Sequence, residues 1–476
     1  MTGYVTDSTY ADTFFRELSP VWLNYVAALN GAKPQAVDGG FRYLELGCGF
    51  GTTCVLNAAA FPDASFDACD FNAAHVQGGS AYAVRLGLRN ITFHETAFHE
   101  LLESGLEPYH FIVMHGVHSW VDASTREVLR RLVDRLLLPG GLLYVSYNSL
   151  PGWSVELSLR RLLVELAASS DGTAAQRAGI AVERITTLRN AGLRYFTANP
   201  GATSAVEAYA RGEDHYLAHE FMNDAWEPFY AVDVADEFGA IGLEFAGSAT
   251  LANNHLPLMV DAATAGAIGD LPTLRQQQLV TDFAVNQRFR RDVFVRAADV
   301  PARRDYFEQA VIGCATDVED IGPTARVPRG EIRFQDAFVR DVCALFAQRS
   351  WPFAGAVTEL HNAGATSRAG RDQDRAAVAR NLAFMVASGV LAPFASGTTA
   401  GQGPPTRLAN ATVARAIDDG PARPARRLVP STVHGNAVEI DDETANSLAK
   451  WSRGEAVSSE FESRRLPTLA RLGIVA

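Results

Sequence analysis

Two acids, Glu45 and Asp70, bracket a glycine loop formed by Gly47, Gly49 and Gly51, and their order limits what the loop can hold. Such glycines bring backbone N–H groups and a helix N-terminus against an anion. In a dinucleotide site that anion is a pyrophosphate, which a carboxylate at the strand end would repel. Thr52 also stands where the G-x-G-x-x-G fingerprint needs its third glycine. S-adenosylmethionine (SAM) instead brings an ammonium, a carboxylate and a sulfonium. Glu45 then has a cation to pair with while the loop amides face the ligand's carboxylate. Asp70, 23 positions after Gly47, is placed to accept both ribose hydroxyls.

The elements that must position these residues can be read around them. Residues 41–46 form an apolar strand, 52–61 a crossover helix, and 64–72 a second strand ending at Asp70. A third strand starts at 90–93. The fourth, 111–114, runs into a loop carrying His115, His118 and Trp120. Val128, Leu129, Leu132, Val133 and Leu136 recur at helical spacing, stopped by Pro139-Gly140-Gly141, and 142–147 is a fifth strand ending near Tyr147 and Asn148. This order predicts a doubly wound α/β sheet with its ligand at the carboxyl ends of the strands.

Three runs then carry a resemblance: Leu44-Glu45-Leu46-Gly47-Cys48-Gly49-Phe50-Gly51, His115-Gly116-Val117-His118-Ser119-Trp120-Val121, and Val145-Ser146-Tyr147-Asn148-Ser149-Leu150-Pro151-Gly152-Trp153. With Asp282-Phe283 and Phe289-Arg290-Arg291-Asp292-Val293-Phe294, the chain to about Val295 resembles class I SAM-dependent methyltransferases. More narrowly, it resembles the bacterial group with a methyltransferase regulatory domain, which includes protein-lysine methyltransferases. The resemblance implies a Rossmann-like fold with SAM held by Glu45, Gly47, Cys48, Gly49, Gly51, Asp70, Phe71, Thr96, Ala97, Phe98 and His115. His118 and Tyr147 are the expected catalytic pair, as proton acceptor or relay at the methyl-transfer pocket. Tyr10, Trp120, Asn148, His219 and Glu220 are expected at the acceptor. The chain departs from the wider pattern twice. Thr96 and Ala97 replace the acid often found near adenine, and His115-Gly116-Val117-His118 stands where many DNA and glutamine N-methyltransferases carry Asp/Asn-Pro-Pro-Tyr/Phe.

Residues 1–262 are expected to form the SAM-binding domain, with 154–230 inserted as a helical lid, a homodimer contact, or both. Within the insertion, 155–168, 174–191 and 215–227 read as helices whose apolar faces need a partner. A helix at 232–240, a strand at 243–250 and a last strand at 256–260 complete the sheet. Residues 263–330 follow as a helical regulatory segment containing a long helix over 276–296. Residues 331–476 read as winged-helix-like, with helices at 334–347, 354–362 and 371–388 and a Gly/Pro/Thr-rich wing at 396–406.

Composition narrows the partners. A net charge of −12 argues against nucleic acid, whose binding needs a basic face, and suits basic protein segments. The five cysteines lack zinc-type spacing, and His215 and His219 beside Glu220 do not form H-E-x-x-H, so no metal is expected. No apolar run is long enough to cross a bilayer, and the amino terminus lacks a basic region followed by an apolar run, which together predict a cytoplasmic protein without a membrane partner. The acceptor is read as a protein lysine. The alternatives are O-methylation of a sugar or small molecule, or a non-catalytic SAM-binding regulator.

Overall fold

The computed structural model describes residues 13–212, 222–223, 225–298, 303, 305–366, 374–396, 405–418 and 426–476. Its centre is a seven-stranded sheet of β1 (Arg42–Leu46), β2 (Ser65–Asp70), β3 (Ile91–Glu95), β4 (Tyr109–Met114), β5 (Leu137–Asn148), β6 (Leu243–Ser248) and β7 (Phe289–Arg296). Their order is β3-β2-β1-β4-β5-β7-β6, with β1 to β5 parallel and β7 antiparallel to both neighbours. Strand alternation sends Tyr43, Phe66, Phe111 and Tyr144 into one core and Leu44, Ile112, Leu143 and Val145 into the other. Helix α1 (Pro20–Leu29) covers the first face, as does α2 (Thr52–Ala60). The helix Ala123–Leu136 and Phe238 cover the second.

Two expected elements differ. The long helix at 276–296 ends at Val285, because Asn286 turns into the left-handed region at φ +50° and caps it. The remainder is β7, whose alternating Arg290, Asp292 and Phe294 have strand rather than helix periodicity. Residues Leu256–Met259 form a short helix with Pro257 in its first turn, so the last strand expected there is supplied by β7 instead. The sheet therefore extends past residue 262.

The insertion begins with helices Ser154–Ala168, Ala174–Asn190 and Pro200–Tyr209, which bury Leu159, Leu163 and Ile185 in a core of their own with Trp153 and Trp226. Most of the helix expected at 215–227 lies outside the described residues. In the mainly helical C-terminal region, Asp336–Phe346, Phe353–Thr366 and Arg375–Ala387 are helical in the expected order. Most of the wing expected at 396–406 also lies outside the described residues. The region packs onto the sheet domain rather than standing apart from it. Val342, Phe346 and Leu382 join the core beneath α1, Ser19 Oγ donates to Gly435 O at 2.6 Å, and Asn436 Nδ2 donates to Arg16 O at 2.9 Å.

Candidate active site

At the end of β1 the chain folds back on β2: Gly47 N and Cys48 N both donate to Cys69 O, at 2.8 and 3.0 Å. Gly47 (φ +71°) and Gly51 (φ +65°) occupy left-handed backbone. A Cβ on Gly47 would lie 2.5 Å from Val117, and one on Gly51 would lie 2.6 Å from Phe93. The turn is thus closed to larger residues on both conformational and steric grounds. Asp70 ties the loop from the neighbouring strand, accepting from Gly49 N at Oδ2 and from Asn72 N at Oδ1, both at 2.9 Å.

A two-lobed cleft opens around this loop at the carboxyl edge. Thr13, Phe15, Glu45, the loop from Gly47 to Thr53, and His115 line one lobe. Asp70, Phe71, Thr96, Ala97, Phe98, Gly116, Val117 and Trp120 line the other, and Gly47 belongs to both. Most residues expected at the cofactor therefore come together. Glu45 is 5 % exposed and its Oε2 has no hydrogen-bond partner. Burial raises its carboxyl to about 8, against a lowering contribution from the Cys54 thiol. A ligand cation in this lobe would satisfy that oxygen and restore the carboxylate. A helix N-terminus lining the cleft beside an orphaned acid suits a zwitterion, which is the character of an amino-acid moiety.

His115 Nδ1 lies 2.8 Å from Tyr144 Oη, and its ring centroid is 3.8 Å from that of Phe15. Burial, reinforced by the Arg291 guanidinium, lowers its pKa to about 3, so the imidazole is neutral at physiological pH. Phe15 is held in turn by its backbone N, which donates to Thr53 Oγ1 at 3.0 Å, and two residues on Glu17 pairs with Arg291 at 2.8 Å. Thr13, Phe15, Thr53, Tyr144 and the Glu17–Arg291 pair were not among the expected site residues. Tyr144 carried a signal in the strand alternation, since it shares a face with Ser146, whose Oγ accepts from Gly116 N at 2.8 Å. In the second lobe, Glu100 accepts from Thr96 Oγ1 and Ala97 N and so caps the following helix.

The expected catalytic pair is placed elsewhere. Tyr147 lies three positions after Tyr144 and faces the opposite side of the sheet, fully buried, with its hydroxyl donating to Asp292 Oδ2 at 2.5 Å. His118 is 1 % exposed and packs against Phe229, Phe238 and Tyr147 with Nε2 3.2 Å from Glu237 Oε2, off the line of a hydrogen bond. Neither residue lines the cleft. Asn148 is also buried outside it, its backbone N donating to Ser119 Oγ at 2.9 Å. Trp120 does reach the cleft, while Tyr10, His219 and Glu220 lie outside the described residues. Among the described residues no cluster could hold a metal, and no helix is long and apolar enough to cross a membrane.

On the far face, Arg290 donates to Asp282 at 2.7 Å, to Asp292 at 2.9 Å and to Gln278 Oε1 at 2.9 Å. Consecutive arginines therefore serve opposite faces: Arg290 joins this buried cluster and Arg291 reaches the cleft side.

Comparison with known proteins agrees with this fold. The family described as "Methyltransferase domain" matches residues 44–143, and "Predicted methyltransferase regulatory domain" matches 213–296. The second match includes β6 and β7, so this segment completes the sheet. An uncharacterized protein of Synechocystis is 29% identical over 344 residues, covering 72% of this chain and 68% of that protein. The malonyl-[acyl-carrier protein] O-methyltransferase of Bacillus cereus is 28% identical over 137 residues, 29% of this chain and 48% of that enzyme. The structure of PKMT2 from Rickettsia typhi in complex with AdoHcy superposes with a TM-score of 0.68 at 17% identity, covering 93% of this chain and 88% of that one.

Proposed function

We propose that this chain, a SAM-dependent methyltransferase in which a methyltransferase domain is joined to a methyltransferase regulatory domain, methylates lysine side chains of an acceptor protein by direct in-line displacement. The orphaned Glu45 Oε2 is the observation that carries the cofactor assignment to particular residues. Glu45 pairs with the amino-acid ammonium, the N-terminus of α2 faces its carboxylate, and Asp70 accepts the ribose hydroxyls. Phe71, Phe98 and Trp120 enclose the adenine. The cofactor supplies an electrophilic methyl on a sulfonium. The protein then has mainly to align a neutral amine with it in a dry cleft.

The fold shared with PKMT2, a Rickettsia protein-lysine methyltransferase, supports lysine as the acceptor, as does the acidic chain. The 154–230 insertion is assigned to capping the acceptor and to a homodimer contact, and the C-terminal region to gripping the polypeptide. The reaction is placed in the cytoplasm, where its five free cysteines stay reduced. Similarity to the malonyl-[acyl-carrier protein] enzyme favours a second reading, O-methylation of a small or carrier-bound acceptor. Incubation with methyl-labelled SAM and bacterial surface proteins, followed by mass spectrometry, separates the two. Methyl-lysine is expected; label confined to a carboxyl or hydroxyl of a small molecule would replace the lysine reading and leave the methyltransferase assignment in place.

A further inference from the structure

His115 stands where the two lobes of the cleft meet, since it lines the lobe containing Glu45 while the adjacent Gly116 lines the lobe containing Asp70. Under the assignment above, this junction is where the sulfonium and its methyl would lie. The two ring nitrogens differ. Nδ1 is engaged by Tyr144 Oη at 2.8 Å, and Tyr144 is fully buried and packed into the core of the sheet. Nε2 has no hydrogen-bond partner among the described residues. Phe15 lies against the ring at 3.8 Å and Phe289 approaches its edge at 6.0 Å, so the imidazole is held in orientation from two sides. The backbone that carries it is fixed by the bond from Gly116 N to Ser146 Oγ.

We propose that His115 Nε2 is the hydrogen-bond acceptor that orients the incoming nucleophile at the methyl, with Nδ1–H donated to Tyr144 Oη so that the lone pair is presented to the cleft. This rests on the SAM-dependent reading and names the residue that touches the acceptor. A neutral amine donates one N–H to Nε2, which turns its own lone pair toward the methyl carbon. The new N–C bond forms as the S–C bond breaks, and the S–C electron pair goes to sulfur. The positive charge passes from sulfonium to methylammonium, which sheds its proton to solvent after leaving. His115 is therefore required as an acceptor of a hydrogen bond, and its low basicity suits that role: it does not compete for the proton as a base would. Tyr144 acts through His115 and is a positioning residue.

Sinefungin tests this without an identified acceptor, because a carbon bearing an amine replaces the sulfonium and methyl in that analogue, whereas S-adenosylhomocysteine (SAH) has nothing there. His115→Phe keeps a ring against Phe15 but removes the acceptor. It should lower the ratio of sinefungin to SAH affinity about tenfold, the size expected for one hydrogen bond to a charged group. Tyr144→Phe, which frees the tautomer, should lower the ratio by a smaller factor. An unchanged ratio in a His115→Phe protein that still binds SAH overturns the proposal. Failure of the wild-type protein to bind SAH would instead remove the cofactor assignment, so the two failures are distinct. Should His115→Phe lose SAH as well, histidine-labelled wild-type protein decides. The His115 Nε2 resonance should move on sinefungin and not on SAH, and an equal response to both ligands rejects the role.

Discussion

The sheet buries acids on both of its faces, and the two sites are built in opposite ways. On one face Glu45 is enclosed with an oxygen that nothing among the described residues satisfies, and burial raises it to about 8. On the other, Asp292 and Asp282 share the buried Arg290, and Tyr147 and Gln278 add hydrogen bonds; Asp282 Oδ2 also lacks a hydrogen-bond partner, but its carboxylate is paired with the guanidinium. Burial lifts Asp282 to about 6, and Arg290 opposes the shift. A buried charge is expensive unless it is paired and hydrogen-bonded. The compensated cluster therefore reads as a clasp between β5, β7 and the helix Leu274–Val285, whereas the uncompensated acid reads as half of an interaction whose other half is a ligand. The same comparison explains why Tyr147, which looked like a candidate for chemistry, is structural: its hydroxyl is spent on Asp292.

The strongest way to break this contrast is to open the clasp. Arg290→Met leaves two carboxylates buried without a countercharge and should cost about 3–5 kcal/mol, the range for removing one partner of a buried pair. Chemical denaturation measures it. A loss under about 1 kcal/mol would mean the cluster is solvated rather than sealed, and the distinction between the two faces would fall.

Asp70 is the intermediate case, since backbone N–H groups already satisfy part of its carboxylate while it also lines the second lobe. Asp70→Ala should weaken SAH binding by about 1.5–3 kcal/mol for each charge-assisted bond lost to the ribose. Because Asp70 also steadies Gly49, some stability should go with it. Calorimetry on folded protein giving wild-type affinity would confine Asp70 to the loop.

The uncompensated side makes a prediction of opposite sign. A carboxyl raised to about 8 in the folded state and near 4.3 when unfolded keeps its proton on folding. Glu45 thus lends full stability below pH ~4.3, and that contribution declines as pH rises toward 8, at no more than about 1.4 kcal/mol per pH unit. Glu45→Gln removes the decline. Without ligand the variant should be more stable than wild type at pH 8, yet it should bind SAH more weakly. In wild type, SAH binding near pH 7 should release a proton as Glu45 ionises against the ammonium, visible as a buffer-dependent calorimetric enthalpy. Parallel pH curves for the two proteins would show that Glu45 is solvated and needs no ligand.

What could be read from the sequence follows the range of the interactions involved. Glu45, Gly47 and Asp70 are set by a strand, a turn and the next strand, so their places on the cleft follow from local spacing, and the neighbouring Phe71, Thr96, Ala97 and Phe98 come with them. Tyr144 against Tyr147 was decided by strand parity, which the sequence contains. His118 was not decided that way, because it leaves the strand in a short helical turn that buries it beneath Phe229 and Phe238. The 276–296 stretch looked like one helix because its apolar positions continue, and only the left-handed Asn286 separates helix from strand. Thr13 and Phe15 could not be placed at all by periodicity, since contacts distant in sequence put them on the cleft.

Those distant contacts give the smallest effect and the last test of the contrast. The segment after Thr13 is anchored inward by Phe15 to Thr53 and by Glu17 to Arg291. It is anchored outward by Arg16 O to Asn436 and by Ser19 to Gly435 of the C-terminal hairpin, whose antiparallel strands are Arg426–Ser431 and Asn436–Asp441. If Glu45 depends on this segment to keep water out, then loosening the outer anchor should reach the cleft without touching it. Asn436→Ala should cost about 1 kcal/mol or less in SAH affinity, the worth of one ordinary hydrogen bond, and should leave the Arg290 cluster untouched. It should also lower the ligand-free pKa of Glu45, because water admitted to that lobe solvates the carboxylate. The flattened pH dependence of stability, more than the small change in affinity, is the decisive reading. A curve identical to wild type would show that Thr53 and Arg291 seal the cleft by themselves and that the C-terminal hairpin does not bear on the cofactor.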